Sequence, residues 1–279
     1  MKHQTLFEQL WFTWRVRQGQ DIANCGEDEI LPQWERETLA GVFLNLLDRE
    51  RDLEETHKDI IDFYLFCRNN LAQSKAQIYQ DLWVLFMTKE KTSGFFVEFG
   101  ACDGIFMSNT WLLEKKYKWS GILAEPNPHW ADSLLLNREA HIDHSCVYRS
   151  TGDVVEMRCV TQAPELSHVA DIVPSDIHQR EGNRENITVE QVNTISLEDL
   201  LRKYNAPHII DYLSIDTEGS ELEILQSFRF DRYDVRLISV EHAGDESKRE
   251  AIRETLESRG FQRWYPELTR WDDWYINMQ

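Results

Sequence analysis

The polar and apolar positions divide the chain into a helical first part and an alternating second part. Over residues 1 to about 75, apolar side chains recur three and four residues apart. Leu6, Phe7, Leu10, Trp11 and Trp14 make one stripe. Leu39, Val42, Phe43, Leu46 and Leu47 make a second within Trp34 to Glu50. Ile60, Ile61, Tyr64, Leu65 and Leu71 make a third within Thr56 to Ala72. This is the period of an amphipathic helix. Gly26-Glu27-Asp28 and Pro32 mark a loop between the first two helices. The stripes read as core packing, with an acceptor-pocket lining as the other reading. The segment is too short to promise a core of its own. It is therefore expected to pack on the rest of the chain, over a cleft or in a dimer interface.

After a short helix from Ile78 to Met87 the period changes. The run from Phe95 to Phe99 is apolar and aromatic, which predicts a buried strand. Gly121-Ile122-Leu123-Ala124-Glu125-Pro126 predicts a second that ends in an acid, and His144 to Tyr148 a third. Thr151-Gly152-Asp153 predicts a tight turn that returns Val154 to Val160 as a hairpin. Residues 161–190 are polar and carry Pro164, Pro174 and Gly182. They read as a long loop, and long loops in compact domains are commonly functional lids. Alternation then resumes with strands at Ile209 to Ile215 and Val235 to Val240. A helix from Ser108-Asn109-Thr110 to near Tyr117 lies between the first two strands, with Ser108 or Asn109 as its cap. Later helices are a short one opened by the capping box Ser196-Leu197-Glu198-Asp199, one from Ser220 to Phe228, and one from Glu246 to Arg259 stopped by Gly260. Phe261 to Tyr265 and Trp274 to Ile276 close as an antiparallel pair. The alternation predicts an α/β fold with a doubly wound, mostly parallel sheet and an N-terminal helical extension, residues 1–75 and 76–279.

Composition narrows the function. The 279 residues suit one large domain or a domain plus an extension, and 42% hydrophobic content suits a packed core. A net charge of −19 argues against nucleic acid and anionic membrane as partners. The five cysteines, Cys25, Cys67, Cys102, Cys146 and Cys159, are scattered and include no C-x-x-C pair. That suggests reduced thiols rather than a disulfide framework or a zinc site. With no signal peptide and no long apolar run in view, the expectation is a soluble cytoplasmic protein.

The chemistry centres on Glu98-Phe99-Gly100-Ala101-Cys102-Asp103-Gly104, a strand end running into a two-glycine turn before a helix. Such a turn lets the backbone approach a ligand closely, and helix N–H groups follow. The spacing lacks the middle glycine of the dinucleotide fingerprint, and Asp103 would repel a pyrophosphate. A cofactor with a positive centre and no phosphates fits better, and S-adenosylmethionine is one. Glu98 would accept from its ammonium group, and Ser108 or Asn109 would bond its amino acid end. Glu125 lies 25 residues beyond Gly100, near the roughly 20-residue spacing at which an acid meets a ribose. A plain surface glutamate at a strand end is the bland alternative.

A second set lies at the tips of the later strands: Asp216, Glu218, Glu241 and His242. With strand order 3-2-1-4-5 the glycine strand and the Asp216 strand are neighbours, and these side chains share a cleft. Two readings stay open. His242 or Asp216 takes a proton from an acceptor hydroxyl. Or Asp216, Glu241 and His242 hold a divalent ion, magnesium or manganese, that lowers the hydroxyl's pKa. Helix capping by Glu218 and a mere strand end at Glu241 are the structural alternatives.

The motifs, in order, resemble the FkbM-type methyltransferases: residues 95–104, Ser108-Asn109-Thr110, Glu125-Pro126-Asn127-Pro128, Ser196-Leu197-Glu198-Asp199-Leu200-Leu201, residues 210–219, Glu241-His242 and Asp272-Asp273-Trp274-Tyr275. The resemblance runs from about Gln80 to Tyr275. It implies a class I, Rossmann-like fold that uses S-adenosylmethionine, and O-methylation of a sugar, glycan or other small hydroxyl compound. It carries cofactor binding onto Glu98, Gly100 and Glu125, and the active cleft onto Asp216, Glu218, Glu241 and His242. Cys102 stands where Asn is frequent in such turns. The expected cofactor set is thus Glu98, Gly100, Asp103, Gly104, Ser108, Asn109, Glu125 and Asp216. The expected catalytic set is His242, Asp216 and Glu241, with His242 as base. Two other classes remain in view: a non-catalytic binding or scaffold protein on the same fold, and a nicotinamide-dependent dehydrogenase. A homo-oligomer is open.

Overall fold

The computed structural model of the chain describes residues 58–172, 179, 182–266 and 268–279. The chain divides into two units, residues 1–65 and 66–279. The first two predicted helices, and the loop between them, lie outside the described residues. Of the first unit, residues 58–65 open the helix α1 (Lys58–Asn70). No helix among the described residues is long and apolar enough to cross a membrane.

The second unit is a mixed α/β fold on a seven-stranded, mostly parallel sheet. Its strands are β1 (Phe95–Phe99), β2 (Ser120–Ala124), β3 (His141–Asp143), β8 (Ile209–Ile215), β9 (Asp234–Glu241), β10 (Phe261–Trp264) and β11 (Asp272–Asn277). Their order is β10-β11-β9-β8-β1-β2-β3. β1 runs parallel between β2 and β8, with Phe99 opposite Ala124 on one side and Ile215 on the other. β11 pairs antiparallel with β9 and β10. The glycine strand and the Asp216 strand are therefore neighbours, as the 3-2-1-4-5 order requires.

Helices α2 (Gln80–Met87), α3 (Trp111–Lys115), α4 (Ala131–Asn137), α5 (Leu197–Lys203), α6 (Glu221–Ser227) and α7 (Glu246–Glu257) alternate with the strands. The central strands β1, β2, β8 and β9 are almost continuously buried, because a parallel sheet covered by helices has no wet face. Val97, Ile122, Leu213, Ile238 and Leu256 belong to one core. Beside it Trp274 stacks on both Trp83 and Trp264, with Trp83 and Trp274 ring centroids 5.0 Å apart. α2 is thereby locked to the last two strands.

The region between β3 and β8 departs from expectation. The third strand of the main sheet is His141–Asp143, and the run ending at Tyr148 belongs elsewhere. β4 (Cys146–Tyr148), β5 (Val154–Val160), β6 (His168–Val169) and β7 (Ile187–Ser196) form a second sheet in the order β4-β7-β5-β6. β4 pairs parallel with β7, and β5 pairs antiparallel with both β7 and β6. The predicted hairpin of β4 with β5 does not form. β7 was missed in the sequence because its short alternation of Ile187 and Val189 ends a polar stretch that carries Pro164, Pro174 and Gly182, and in the fold residues 187–191 are all exposed. Cys146 faces a small core with Met157, Cys159, Val169 and Val192, while Val147 joins the main core. The segment expected to be one long loop thus contains β6 and the start of β7.

Candidate active site

The C-terminal tips of β1, β2, β8 and β9 open into one cavity of about 940 Å³. The second sheet and residues 162–169 form the facing wall. The size lies in the range of small-molecule sites.

At the β1–β2 end the turn is built by two buried acids. Glu98 accepts from the Asn109 N–H at 2.7 Å, the Thr110 hydroxyl at 2.5 Å and the Ser108 hydroxyl at 3.1 Å. Behind them Arg138, fully buried, donates to the Gly104 carbonyl, Ser108 Oγ and Thr110 Oγ1, and pairs with Glu114 at 3.0 Å and Glu98 at 3.6 Å. Glu98 therefore holds the loop that follows the glycine turn. Glu125 accepts from the Cys102 N–H at 3.0 Å and the Asn127 N–H at 2.8 Å, which ties the β2 tip to the turn. Burial pushes its pKa up to about 7, against the pull of those two N–H groups.

Of the predicted cofactor residues, Glu98, Gly100, Asn109, Glu125 and Asp216 line the cavity, as does Cys102. Asp103, Gly104 and Ser108 do not; they stand behind it. Asp103 Oδ1 accepts from the N–H groups of Ile105 and Phe106, closing the turn on itself. Gly104 (φ +82°) packs so closely that a Cβ would meet Arg138 Cγ at 2.5 Å. Ser108 Oγ accepts from the Trp111 N–H at 3.1 Å and steadies the start of α3, whose N-cap is Thr110 rather than the expected Ser108 or Asn109.

At the β8–β9 end, Asp216, Glu218 and Glu241 line the cavity. One oxygen each of Asp216, Glu221 and Glu241 lies within 4.8 Å of the others. Burial, and then the charge of Glu218, pushes the Asp216 pKa well above the ordinary carboxylate value. Glu241 is raised likewise, by burial and then by Asp216. Its Oε2 is buried and has no hydrogen-bond partner. Glu218 pairs with Arg184. Glu221 accepts from the N–H groups of Thr217 and Gly219 at 3.0 Å each, fixing the turn after Asp216. It also receives Lys248 of α7 at 2.6 Å. Burial works to lower the Lys248 pKa, but Glu221 and Glu241 hold it above the ordinary lysine value.

His242 corrects the sequence reading. It is buried and does not line the cavity. Its Nδ1 accepts from the Gly244 N–H at 3.1 Å, so Nε2 carries the proton and donates to the Asp272 carbonyl at 3.2 Å. Neither nitrogen is open to an acceptor's proton. Burial also holds its pKa below the ordinary histidine value. His242 points away because it follows Glu241, and successive strand side chains face opposite ways. The same geometry removes it from the metal set, where Glu221 takes its place. Glu221, Lys248, Arg138 and Arg184 were missed by the sequence reading. The three cations meet their acids only through the fold. Glu221 carried one signal, an acid one helical turn after Glu218.

Residues 98–263 match the methyltransferase FkbM domain family, from the tip of β1 into β10. This covers more than half of the chain, and the chain belongs to the FkbM methyltransferase family. Methyl transfer is the activity class that membership supports. No curated protein matches the chain. Among solved structures it is similar to a precorrin-6y C5,15-methyltransferase from Geobacter metallireducens GS-15, with 11% identity over 70% of this chain and 85% of that one and a TM-score of 0.37.

Proposed function

We propose that the protein moves the methyl group of S-adenosylmethionine to a hydroxyl of a sugar, glycan or other small acceptor. The observation that carries this reading is the shared cavity: a turn secured by Glu98 and Glu125 at one end, and the unpartnered Glu241 Oε2 beside Asp216 at the other. The strand order, with β11 as the antiparallel strand, supports a class I, Rossmann-like arrangement.

The residues present fit that cofactor. Asn109, 7% exposed, lines the cavity with its Oδ1 unpartnered, an acceptor for an ammonium group. Glu125 at the β2 tip offers a carboxylate to two ribose hydroxyls. Gly100 leaves the backbone bare at the meeting of β1 and β8. When bound, S-adenosylmethionine supplies an electrophilic methyl group on a sulfonium. The chain's own work is to position the acceptor oxygen and receive its proton. Glu241 Oε2 is the atom for that proton, because its raised pKa makes it a better base than an ordinary carboxylate. Asp216 shares the charge beside it. The net charge of −19 supports an acceptor that is neither nucleic acid nor an anionic membrane surface.

A second reading rests on the convergence of Asp216, Glu221 and Glu241, a geometry that suits magnesium or manganese. The Lys248 ammonium, already on Glu221, favours the metal-free reading.

Calorimetry with S-adenosylmethionine, S-adenosylhomocysteine and NAD tests the cofactor. Binding of the first two and not the third is expected. Methyl-labelled cofactor, incubated with small-molecule extracts and read by mass spectrometry, tests the transfer. Cofactor binding without any labelled product favours the non-catalytic binding protein.

A further inference from the structure

We infer that the mouth of the cavity, formed by Phe106, Met107 and Trp271, holds an aromatic ring of the acceptor, and that the acceptor is a glycoside with an aromatic aglycone. This rests on the methyl-transfer reading and narrows its substrate class.

The first observation is an apolar cluster at an opening. Phe106 and Met107 line the cavity and are 47% and 39% exposed. Trp271, half-buried, lines it with them. The fold brings the three together from distant stretches of the chain. Ala76 bridges to Met107 as an isolated parallel pair. The next residue, Gln77, accepts from the Trp271 indole N–H at 3.1 Å, and Gln80 Nε2 donates to Asp272 Oδ2 at 2.7 Å. Residues 76–80 thus clasp the loop after the glycine turn to the start of β11. With Nε1 taken by Gln77, Trp271 meets the cavity as an apolar ring oriented by that bond. The Arg270 guanidinium, 5.1 Å from the ring centroid, steadies it further. Large apolar side chains grouped at a pocket mouth, rather than scattered singly, mark a binding surface. Two aromatic rings beside a thioether suit a flat aromatic ring, through edge or offset contacts and through sulfur.

The second observation is where the cluster sits. Asn109, two residues past Met107, carries the unpartnered Oδ1 assigned above to the cofactor's ammonium group. On the other flank, the Trp271 carbonyl accepts from the N–H groups of His242 and Ala243 at 2.8 Å and 3.1 Å. Asp272, the next residue, lies opposite Glu241 in the β9–β11 ladder. The apolar mouth therefore stands between the acceptor of the ammonium group and the atom proposed to take the proton. A substrate that brings a hydroxyl to Glu241 rests its outer part on Phe106, Met107 and Trp271. Inward, the tips of β8 and β9 present Asp216 and Glu241. A molecule that matches both regions has a hydroxyl-bearing sugar inside and an aromatic ring outside. A free sugar leaves the rings of the mouth in water, and a bare aromatic ring brings no donors to the strand tips.

The test is a saturation-transfer difference NMR titration at pH 7 on the full chain saturated with S-adenosylhomocysteine. The probes are phenyl β-glucoside and its two halves, methyl β-glucoside and anisole. Phenyl glucoside is expected to bind about tenfold or more tightly than either half, as burial of an aromatic face provides, with its ring protons saturated most strongly. Phe106→Ser with Met107→Ser, both at exposed positions, should bring the two glucosides to within about threefold of each other. Should that variant fail to fold, Trp271→Ala, which keeps the carbonyl that His242 and Ala243 bind, should do the same. Methyl glucoside or anisole binding as tightly as phenyl glucoside, no binding of phenyl glucoside, or an unchanged preference in the folded variants overturns the inference. Equal binding of the two glucosides by a chain that sedimentation shows to be dimeric overturns it too, and gives the mouth to a second copy. Failure of S-adenosylhomocysteine to bind is a separate result, which strikes the cofactor reading instead.

Discussion

A Cβ on Gly100 would lie 2.1 Å from the carbonyl oxygen of Asp216. The two strand tips that carry the turn and the acid cluster touch through bare backbone, and Gly100 sits at φ +72°. Gly100→Ala meets both a clash and a left-handed backbone. The variant should lose about 1–3 kcal/mol of stability, and S-adenosylhomocysteine affinity should fall about tenfold or more, since Asp216 moves with it. Urea unfolding and calorimetry on the same preparation check both. Wild-type affinity in a folded variant would dismiss the contact.

Glu125 sets a pH dependence. Its folded pKa of about 7 lies above the ordinary value for a glutamate. The unfolded chain therefore releases this proton first as pH rises. Stability is highest below the unfolded pKa and declines from about pH 4.5 to 7. Asp272, also raised to about 7 by burial, adds to the slope. Glu125→Gln should flatten the slope of melting temperature across that window. Cofactor affinity should run the other way, tightening as pH rises through about 7, because ribose hydroxyls donate to the ionised carboxylate. Calorimetry at pH 6 and pH 8 checks the direction.

Glu241 and His242 are adjacent and should behave differently. Once an acceptor is known, Glu241→Gln should lower kcat about 10²-fold with cofactor affinity near wild type. His242→Ala leaves the Gly244 N–H and the Asp272 carbonyl without their partner and should cost about 1–3 kcal/mol of stability, with kcat of the folded protein within a few-fold of wild type. A collapse of kcat in folded His242→Ala would restore the histidine as base.

Lys248 decides metal dependence. With its ammonium on Glu221, the wild-type protein should gain no thermal stability from magnesium or manganese, and a chelator should leave its activity unchanged. Lys248→Met releases Glu221 to Asp216 and Glu241. Manganese should then raise the melting temperature of the variant, as a ligand of the native state does. A rise in the wild type would make the ion part of the native site.

Arg138 is the cation that the loop after the glycine turn is built around. Arg138→Met strands Glu98 and Glu114 in a buried setting and should cost about 3–5 kcal/mol. Thermal unfolding measures it, and a loss under about 1 kcal/mol would mean that the acids find other partners.

What the sequence disclosed followed from local pattern. β1 at Phe95–Phe99, β5 at Val154–Val160 and β8 at Ile209–Ile215 are strands with the expected bounds. Each carries a compact apolar or β-branched run. The Ser196 cap is present too, its side chain accepting from the Asp199 N–H. What stayed hidden depends on distant partners. β4 looked like a main-sheet strand, because an apolar triplet does not say which neighbour it will find. His242 looked like a base because residue type carries no orientation. Its neighbours Gly244 and Asp272, which take up both nitrogens, become visible only once β9 and β11 are paired.

The pairing of β4 with β7 places Val147 beside Ile195 and Tyr148 beside Ser196. The chain thus leaves the α/β frame and re-enters it at nearly one spot. The turns between these two points can lengthen or shorten at little entropic cost to the seven-stranded sheet, as long as Arg184 stays on Glu218 and Ser167 on Asn127. Yet that same excursion supplies one wall of the cavity, Met157 and residues 162–169 included. The architecture separates a fixed frame from an exchangeable face. A lineage built this way can change what it recognises by trading one cassette. Grafting residues 149–193 between relatives is accordingly the economical route to retargeting.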